Sequence, residues 1–346
     1  MRLAGLDELQ AKLLQDRRPW AASLEVTRRC NLRCVHCLRG ASRPDDGLSK
    51  EEICQLVDQL AALGCMRLRF TGGEPFARPG FLAIVEHAWR RRMAMVILTN
   101  GTLITSDVAC TLSDLHVHEF QVSLYGASPE THEAVTRVAG SFSMTLRGIR
   151  RLLDQGLRVR VMMPVLAMNV REVGAVRELC EQLGTDFQRS LLLFPGDDGS
   201  DDPLALLASD DQLRRLTEDE AAASSSTDSV GKVVDLAKDR PLCTAGISQL
   251  GIGPDGSVYP CGALRLAAGN IRHQELADIW YNSAVLEELR RARPSYPASC
   301  ATCKVQKVCF WCPGLSLALE GDMKVPNHQD CRRTRFSYGG MDCGSI

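Results

Sequence analysis

The stretch "CNLRCVHC", residues 30–37, places three cysteines, Cys30, Cys34 and Cys37, within eight positions. A closed structural metal site normally takes four protein ligands. Two interpretations are therefore open: a fourth ligand comes from elsewhere in the chain, or one coordination position is kept for a ligand that is not protein. Of the nearest cysteines, Cys54 falls on a predicted helix and Cys65 at the start of a predicted strand.

The residues around this stretch alternate between short β-rich runs and amphipathic stretches. Six β/α units are too few for a closed eight-stranded barrel, so the pattern predicts an α/β fold with an open, partial (β/α)6 barrel of parallel strands. The predicted strands are 24–27, 66–70, 94–99, 119–124, 157–163 and 187–194, and the predicted helices are 49–63, 80–92, 105–115, 142–155 and 169–183.

Local signals agree with these helices. Ser49 and Glu52 have the spacing of a capping box, and Pro79 suits a first helical turn. Glycines stand where three helices should end. They are Gly64, Gly156 and Gly184.

Four unusual segments follow predicted strands. The cysteine stretch follows the first strand, "TGGEP" (71–75) the second, "TNG" (99–101) the third and "SLYG" (123–126) the fourth. Because chemistry in parallel α/β sheets lies at the carboxyl ends of the strands, these segments predict one functional rim.

Composition limits the class of protein. The chain has 346 residues, a formal net charge of −1 and 45% hydrophobic residues, so a globular core is expected and no basic surface for nucleic acid or anionic membranes. The N-terminus lacks the apolar core of a signal peptide, and no run is long enough to cross a membrane. Fifteen cysteines in such a chain favour metal or cluster ligation in a reducing cytoplasm over disulfides.

Changes in texture along the chain predict four parts. Residues 1–21 form an N-terminal helical extension, and 22–195 form the partial barrel. Residues 196–240 form an acidic and Ser-rich connection with a helix around 210–220. Residues 241–346 form a small cysteine-rich domain, with a helical stretch at 276–292, in which a metal would support folding.

The last domain holds a second cysteine group. Its central run, "CATCKVQKVCFWC" (300–312), has the spacing C-x2-C-x5-C-x2-C, which on its own favours a zinc ribbon. Seven thiolates are one short of two closed four-ligand sites. They are Cys243, Cys261, Cys300, Cys303, Cys309, Cys312 and Cys331.

Over residues 22–195 the sequence resembles the radical SAM family, which has CxxxCxxC after the first strand of a six-unit partial barrel. Cys30, Cys34 and Cys37 match that signature, and "GGEP" matches the family's methionine-binding motif. The resemblance implies a [4Fe–4S] cluster on the three cysteines, with its open iron binding S-adenosyl-L-methionine (SAM). The SAM contacts that it implies are His36, Gly72, Gly73, Glu74, Pro75, Asn100, Ser123 and Arg137.

The same resemblance implies a mechanism. One electron from the cluster cleaves SAM to methionine and a 5′-deoxyadenosyl radical, which abstracts hydrogen from an unactivated carbon. A flavodoxin- or ferredoxin-type protein is the implied low-potential electron donor. Glu74 is expected to accept a hydrogen bond from an ammonium group. One departure from the family pattern is Tyr125, which stands where relatives often have an aspartate, so the resemblance does not imply a polar contact at this position.

Beside such a core, the tail resembles the SPASM extension, which carries auxiliary clusters. The resemblance assigns Cys300, Cys303, Cys309 and Cys331 to the second auxiliary cluster. It assigns Cys243, Cys261 and Cys312 to the first, whose fourth position has three alternatives: it is open, it is filled by a ligand other than cysteine, or it is filled by Cys343. One departure is the x2 spacing between Cys309 and Cys312, where the family usually has x3.

The leading hypothesis is a radical SAM/SPASM oxidoreductase that crosslinks or otherwise modifies a ribosomally made precursor peptide, which a separate protein or the barrel edge recruits. A second hypothesis keeps the chemistry and takes a small molecule, such as a sugar alcohol or a tetrapyrrole side chain, as substrate. A third is a zinc-stapled binding protein without redox chemistry.

Overall fold

The structure, a computed structural model, describes residues 17–39, 47–223, 242–293, 295, 300, 303, 309 and 311–337. The expectations that concern residues 1–16, the Ser-rich stretch 224–230 and Cys343 lie outside the described residues.

One sheet organises the described part of the chain. Its nine strands lie in the order β6-β5-β4-β3-β2-β1-β7-β8-β9, and β1 to β6 are parallel, as predicted for a partial barrel. The six parallel strands are β1 (Ala21–Glu25), β2 (Arg67–Thr71), β3 (Ala94–Thr99), β4 (Glu119–Ser123), β5 (Val159–Pro164) and β6 (Asp186–Ser190).

Helices connect these strands. They are α1 (Lys50–Ala62), α2 (Phe81–Arg90), α3 (Ser106–Asp114), α4 (Pro129–Thr136), α5 (Ser141–Asp154) and α6 (Val173–Leu183), with 3-10 turns at Pro75–Ala77 and Val170–Glu172. The capping box of Ser49 and Glu52 is confirmed. Pro79 is not in the first turn of α2, because Gly80, with φ of 75°, is the N-cap. Helix α4 was not predicted, although Ser128 caps it and Pro129 occupies its first turn.

The core lies between the sheet and these helices. Apolar side chains of successive parallel strands, such as Leu24, Phe70 and Phe120, are 0% exposed. Helix α1 presents its apolar face, which includes Ile53 and Leu60, to the same core. Because the six strands are parallel, their carboxyl ends lie at one edge of the sheet. Burial of the apolar side chains stabilises the sheet and so holds that edge in place.

The C-terminal part extends the same sheet. Strand β7 (Gln249–Ile252) pairs parallel with β1, and β8 (Ser257–Tyr259) and β9 (Gly269–Asn270) follow antiparallel. The predicted helix at 276–292 is two helices, α8 (Leu276–Asn282) and α9 (Ala284–Arg291), because Ser283 is extended. The C-terminal part therefore rests on the barrel core as well as on its own cysteines.

Three further helices complete the described chain. They are α7 (Asp210–Ala223), α10 (Pro313–Glu320) and α11 (His328–Ser337), with a 3-10 turn at Leu204–Leu206. The helix predicted around 210–220 is confirmed as α7, and Asp210 at its start pairs with Arg335 of α11 at 2.6 Å. The described part of the connection is thus packed against the C-terminal helix. No helix among the described residues has the length and apolarity to span a membrane.

Candidate cluster and SAM site

The cysteine loop runs from the end of β1 across the carboxyl ends of the strands. The amide of Arg33 donates to the carbonyl of Thr136 at 3.0 Å, and the amide of Val35 donates to the carbonyl of Val135 at 2.9 Å. Helix α4, which the sequence did not predict, therefore holds the loop in place. The loop also closes on itself, since the Cys37 amide donates to the Cys34 carbonyl at 3.1 Å.

The three cysteines line one pocket of about 520 Å³. The other three rim segments contribute Gly72, Gly73, Asn100 and Ser123 to its wall, so the structure brings all four predicted segments together. Burial, with help from the nearby Cys30 thiol, raises the pKa of Cys34 to about 12, and burial also raises the pKa of Cys30. These thiols are protonated without a metal, whose charge would displace the protons.

The glycine turn packs against the cysteine loop itself. Gly72 has φ of +135°, and a Cβ on it would lie 2.4 Å from the Thr27 carbonyl oxygen. A Cβ on Gly73 would lie 2.2 Å from the Arg29 carbonyl oxygen. The Gly73 amide donates to Thr27 O and the Glu74 amide to Arg29 O, both at 2.8 Å. The glycines thus allow two backbones to touch, as well as exposing their main chain to the pocket.

Glu74 lies beneath the pocket instead of lining it. Its side chain is 0% exposed and accepts from the Asn100 amide and the Thr99 hydroxyl at 2.7 Å, and from the Phe76 amide at 3.2 Å. Burial raises the pKa of Glu74 to about 7 against these hydrogen bonds. The expected contact with a ligand ammonium has no support in this geometry. The carboxylate instead ties the turn after β2 to the end of β3. Pro75, also buried, begins the 3-10 turn that follows.

Asn100 is held in a small network at the pocket wall. Its Nδ2 donates to Asn31 Oδ1 at 2.9 Å, and its Oδ1 accepts from the Thr102 amide at 2.9 Å. Ser123 lines the same wall at the end of β4. Asn100 and Ser123 therefore both line the pocket that holds the three cysteines.

His36 and Tyr125 form an aromatic wall of the pocket. Their ring centroids are 4.9 Å apart with the planes at 66°, and burial lowers the pKa of His36 to about 4, which keeps the ring neutral. The Tyr125 hydroxyl lies 4.0 Å from Cys34 Sγ. Arg137, by contrast, is exposed at the end of α4 and does not line the pocket.

The C-terminal cysteines separate into two groups. Cys243 lies near enough to Cys261 and Cys312 for these thiols to influence its pKa. Burial, the largest cause, raises that pKa to about 12. Cys309 lies within range of Cys300 and Cys303 instead. This grouping agrees with the ligand sets that the resemblance implied, although it leaves Cys331 unassigned. Trp311, beside Cys312, is 2% exposed and packs in the small apolar cluster of this region.

The donor chemistry fits iron–sulfur clusters. Each cysteine of a cubane cluster binds a different iron, so its thiols stand farther apart than those around one ion. In the part of the chain that the structure describes, no group of three His, Cys, Asp or Glu side chains is arranged to hold a single metal ion. Three cysteines around a pocket with a polar wall leave room for a cluster and for a small ligand on its remaining iron.

A second cavity, of about 710 Å³, adjoins this pocket. The two share Arg28, Leu38, Arg39 and Gly196. The far wall comes from the C-terminal part, where Gly262 and Ala263 directly follow Cys261. The charged residues of this cavity were not predicted from the sequence. The one available signal was Glu25, a carboxylate at the end of a strand whose neighbouring residues Leu24 and Val26 are buried and apolar.

A cysteine loop and a polar pocket at the carboxyl edge of a parallel sheet define a cofactor-dependent enzyme with a metal cluster. A family model described as the radical SAM superfamily matches residues 24–180, and a model described as an iron–sulfur cluster-binding domain, SPASM, matches residues 243–304. The chain belongs to the radical SAM superfamily and carries a SPASM domain. It is a radical SAM enzyme whose cofactors are SAM and [4Fe–4S] clusters.

The curated proteins that this chain resembles include a heme synthase and a mycofactocin maturase. The chain is 29% identical over 329 residues to the AdoMet-dependent heme synthase of Methanosarcina barkeri, covering 88% of this chain and 94% of the relative. It is 31% identical over 303 residues to the mycofactocin maturase MftC of Mycobacterium ulcerans, covering 82% and 80%. The zinc-stapled binding protein has no support in these matches.

Solved structures show the same fold. Streptococcus suis SuiB bound to S-adenosylmethionine has a TM-score of 0.71 at 16% identity, covering 94% of this chain and 81% of SuiB. The enzyme anSMEcpe with bound AdoMet has a TM-score of 0.70 at 19% identity, covering 92% and 96%.

Proposed function

We propose that this enzyme modifies a ribosomally made precursor peptide by abstracting hydrogen from a carbon held in the 710 Å³ cavity. The observation that carries the proposal is the position of this cavity, which shares a wall with the cysteine pocket. When bound, SAM and its cluster supply one-electron chemistry that ends in hydrogen abstraction. A substrate bound in the larger cavity against the shared wall would therefore lie next to the site of hydrogen abstraction.

The chain's own residues have three tasks in this scheme. Cys30, Cys34 and Cys37 hold the cluster, and the peptide groups of Gly72 and Gly73 with the side chains of Asn100 and Ser123 bind SAM. The rings of His36 and Tyr125 shield the pocket. Since Glu74 fixes the backbone amide of Asn100 at 2.7 Å, it positions a SAM contact without being one.

Charge at the mouth of the cavity supports a peptide over an iron tetrapyrrole. Four exposed aspartates lie within six positions of the segment after β6, and each lines one of the two cavities. They are Asp197, Asp198, Asp201 and Asp202. A peptide can bring cationic residues to these aspartates, whereas the charged groups around a tetrapyrrole ring are carboxylates and offer the aspartates no cationic partner.

A tetrapyrrole substrate remains the second candidate. It is favoured by the match to the M. barkeri heme synthase, which covers 94% of that relative. A low-potential electron donor and a recruiting protein for the peptide are further proposed partners, and the cytoplasm is the proposed location.

Mass spectrometry of anaerobic reactions separates the candidates. The reconstituted holoenzyme, with SAM and a chemical reductant, is incubated with each short peptide encoded beside its gene and, separately, with Fe-coproporphyrin III, the tetrapyrrole in the name of a further similar protein of Methanosarcina barkeri, the Fe-coproporphyrin III synthase. We expect a mass change in the peptide and none in the tetrapyrrole. A modified tetrapyrrole beside an unchanged peptide would reject the proposal in favour of the second candidate.

A further inference from the structure

A buried carboxylate joins two arginines in the wall of the larger cavity. Glu25, at the end of β1, is 5% exposed. Arg39 Nε donates to Glu25 Oε2 at 3.1 Å, and Arg265 Nη2 donates to Glu25 Oε1 at 2.5 Å. Arg39 follows the cysteine loop and Arg265 follows β8, so the three side chains come from three separate segments.

This group has more positive than negative charge. One carboxylate neutralises one of the two guanidinium groups, which leaves about one positive charge in the wall. Asp197 also attracts Arg265, but it is exposed at the mouth, where water screens the attraction. The inner wall therefore favours an anion, although the mouth of the cavity is acidic.

The two arginines remain accessible. Their side chains are 23% and 30% exposed, and both line the cavity. Within the described part of the chain, the hydrogen bonds of Arg265 use Nη2 alone, while its guanidinium stacks 5.1 Å from the centre of the Tyr259 ring. A guanidinium has five N–H donors in a fixed fork, so it retains donors for a second carboxylate.

Arg39 also connects this group to the SAM pocket. Its Nη1 donates to the Gly72 carbonyl at 3.3 Å, and Arg39 lines both cavities. An anion on these arginines would therefore place the neighbouring carbon atoms of its molecule near the shared wall.

We propose that Arg265 and Arg39 bind a carboxylate of the substrate peptide, and that Glu25 holds both guanidinium groups in place for it. The inference rests on the proposed function, because it takes this cavity as the substrate site. The carboxylate is either the C-terminus of the peptide or an acidic side chain near the carbon that loses hydrogen. Arg265 is then a specificity-determining residue.

The test compares acid and amide forms of one peptide. Equilibrium binding to the SAM-loaded holoenzyme is measured for the precursor peptide encoded beside the gene, for its C-terminal carboxamide, and for versions with Asp→Asn or Glu→Gln changes. We expect one of the amide forms to bind about tenfold or more weakly than the parent. Which form weakens identifies the carboxylate.

Variants of the enzyme assign that preference to Arg265. Arg265→Gln should weaken binding of the parent peptide about tenfold and remove the difference between acid and amide. Arg265→Lys keeps the positive charge but loses the planar guanidinium that can bind a carboxylate through two hydrogen bonds. Its peptide affinity should therefore lie between those of the wild type and Arg265→Gln. The matched control is Arg272→Gln, since Arg272 also joins the C-terminal part to the barrel, through Glu52 at 2.9 Å, but does not line the cavity. It should keep the full preference.

The outcomes separate this inference from the proposed function. Equal binding of all peptide forms overturns the inference and leaves the proposed function standing. If no peptide form binds, the proposed function fails, and Fe-coproporphyrin III is compared with its methyl ester. A preference for the free acid that Arg265→Gln removes supports the carboxylate site, whereas equal binding of acid and amide, or a preference that Arg265→Gln leaves unchanged, rejects it.

Discussion

The two cysteine regions of this enzyme are built on different supports. The loop of Cys30, Cys34 and Cys37 lies on the edge of a parallel sheet and is fixed by backbone hydrogen bonds to α4 and to the glycine turn. Among the residues that the structure describes, Cys243 and Cys261 of the C-terminal group pack against an apolar cluster of seven buried residues, far smaller than the core of the barrel. The comparison indicates that protein packing preforms the first site, whereas the clusters themselves support the second.

Replacing one cysteine in each region tests this difference most strongly. Cys34→Ala should abolish SAM cleavage, because a SAM-binding cluster would lose one of its three ligands. Cys309→Ala should preserve SAM cleavage but lose modified product. Anaerobic assays of 5′-deoxyadenosine and of product mass measure both effects.

Iron content gives the control for this pair. Wild-type protein with three cubane clusters should carry about twelve irons, and each variant should lose about four. SAM cleavage that survives Cys34→Ala would show that the catalytic cluster is assigned to the wrong cysteines.

A substitution in the glycine turn should damage the preformed site without touching a ligand. In Gly73→Ala the new Cβ would lie 2.2 Å from the Arg29 carbonyl oxygen, so the two loops must separate. Overpacking of this kind costs about 1–3 kcal/mol of unfolding free energy, and SAM binding should fall with it. Denaturant unfolding and SAM titration measure the two effects.

Gly174→Ala is the matched control for that substitution. A Cβ at this position of α6 would meet no atom within 4 Å, and alanine favours a helix over glycine. The variant should therefore be as stable as the wild type, or slightly more. Equal stability of the Gly73 and Gly174 variants would contradict the close packing of the two loops.

The support behind the cysteine loop should also be sensitive to acid. His132 of α4 is 1% exposed, its Nδ1 accepts from the Tyr125 amide at 3.3 Å, and burial lowers its pKa to about 4. Protonation of His132 is easier in the unfolded chain than in the folded protein. The contribution of neutral His132 to the free energy of unfolding is therefore complete above its unfolded pKa of about 6.5, and it is lost as the pH falls toward the folded value of about 4. Between pH 7 and pH 5 the loss is about 2 kcal/mol of unfolding free energy.

Substitution of this histidine isolates its contribution. His132→Gln should reduce the acid-dependent loss by about that amount, whereas His118→Gln, at an exposed position, should not change it. Urea unfolding at the two pH values measures the difference. The same pH slope in wild type and His132→Gln would show that the buried imidazole does not contribute.

Sequence reasoning recovered the local features and missed the distant ones. The six parallel strands and the rim segments each have a short-range pattern, and the structure confirms that these segments meet at one pocket. The pairing of β7 with β1 joins residues more than two hundred positions apart, which leaves no local signal. Arg39 and Arg265 are ordinary surface residues in sequence and become a pair only through Glu25. The direction of the Glu74 side chain was missed because a motif does not show which of its groups face the chain itself.

The smallest expected effect concerns the contact between α1 of the barrel and the C-terminal part. Glu52 of α1 accepts from the Ser49 amide at 2.6 Å in the capping box and from Arg272 Nε of the C-terminal part at 2.9 Å. Glu52→Gln keeps a side chain that can cap the helix but removes the ion pair, which at this exposure contributes less than about 1 kcal/mol. Ser49→Ala removes the cap and should cost about 1 kcal/mol of unfolding free energy. Thermal unfolding of the two variants at low and high salt measures this ranking. A larger, salt-dependent loss in Glu52→Gln would mean that the ion pair, and not the shared sheet, holds the C-terminal part on the barrel.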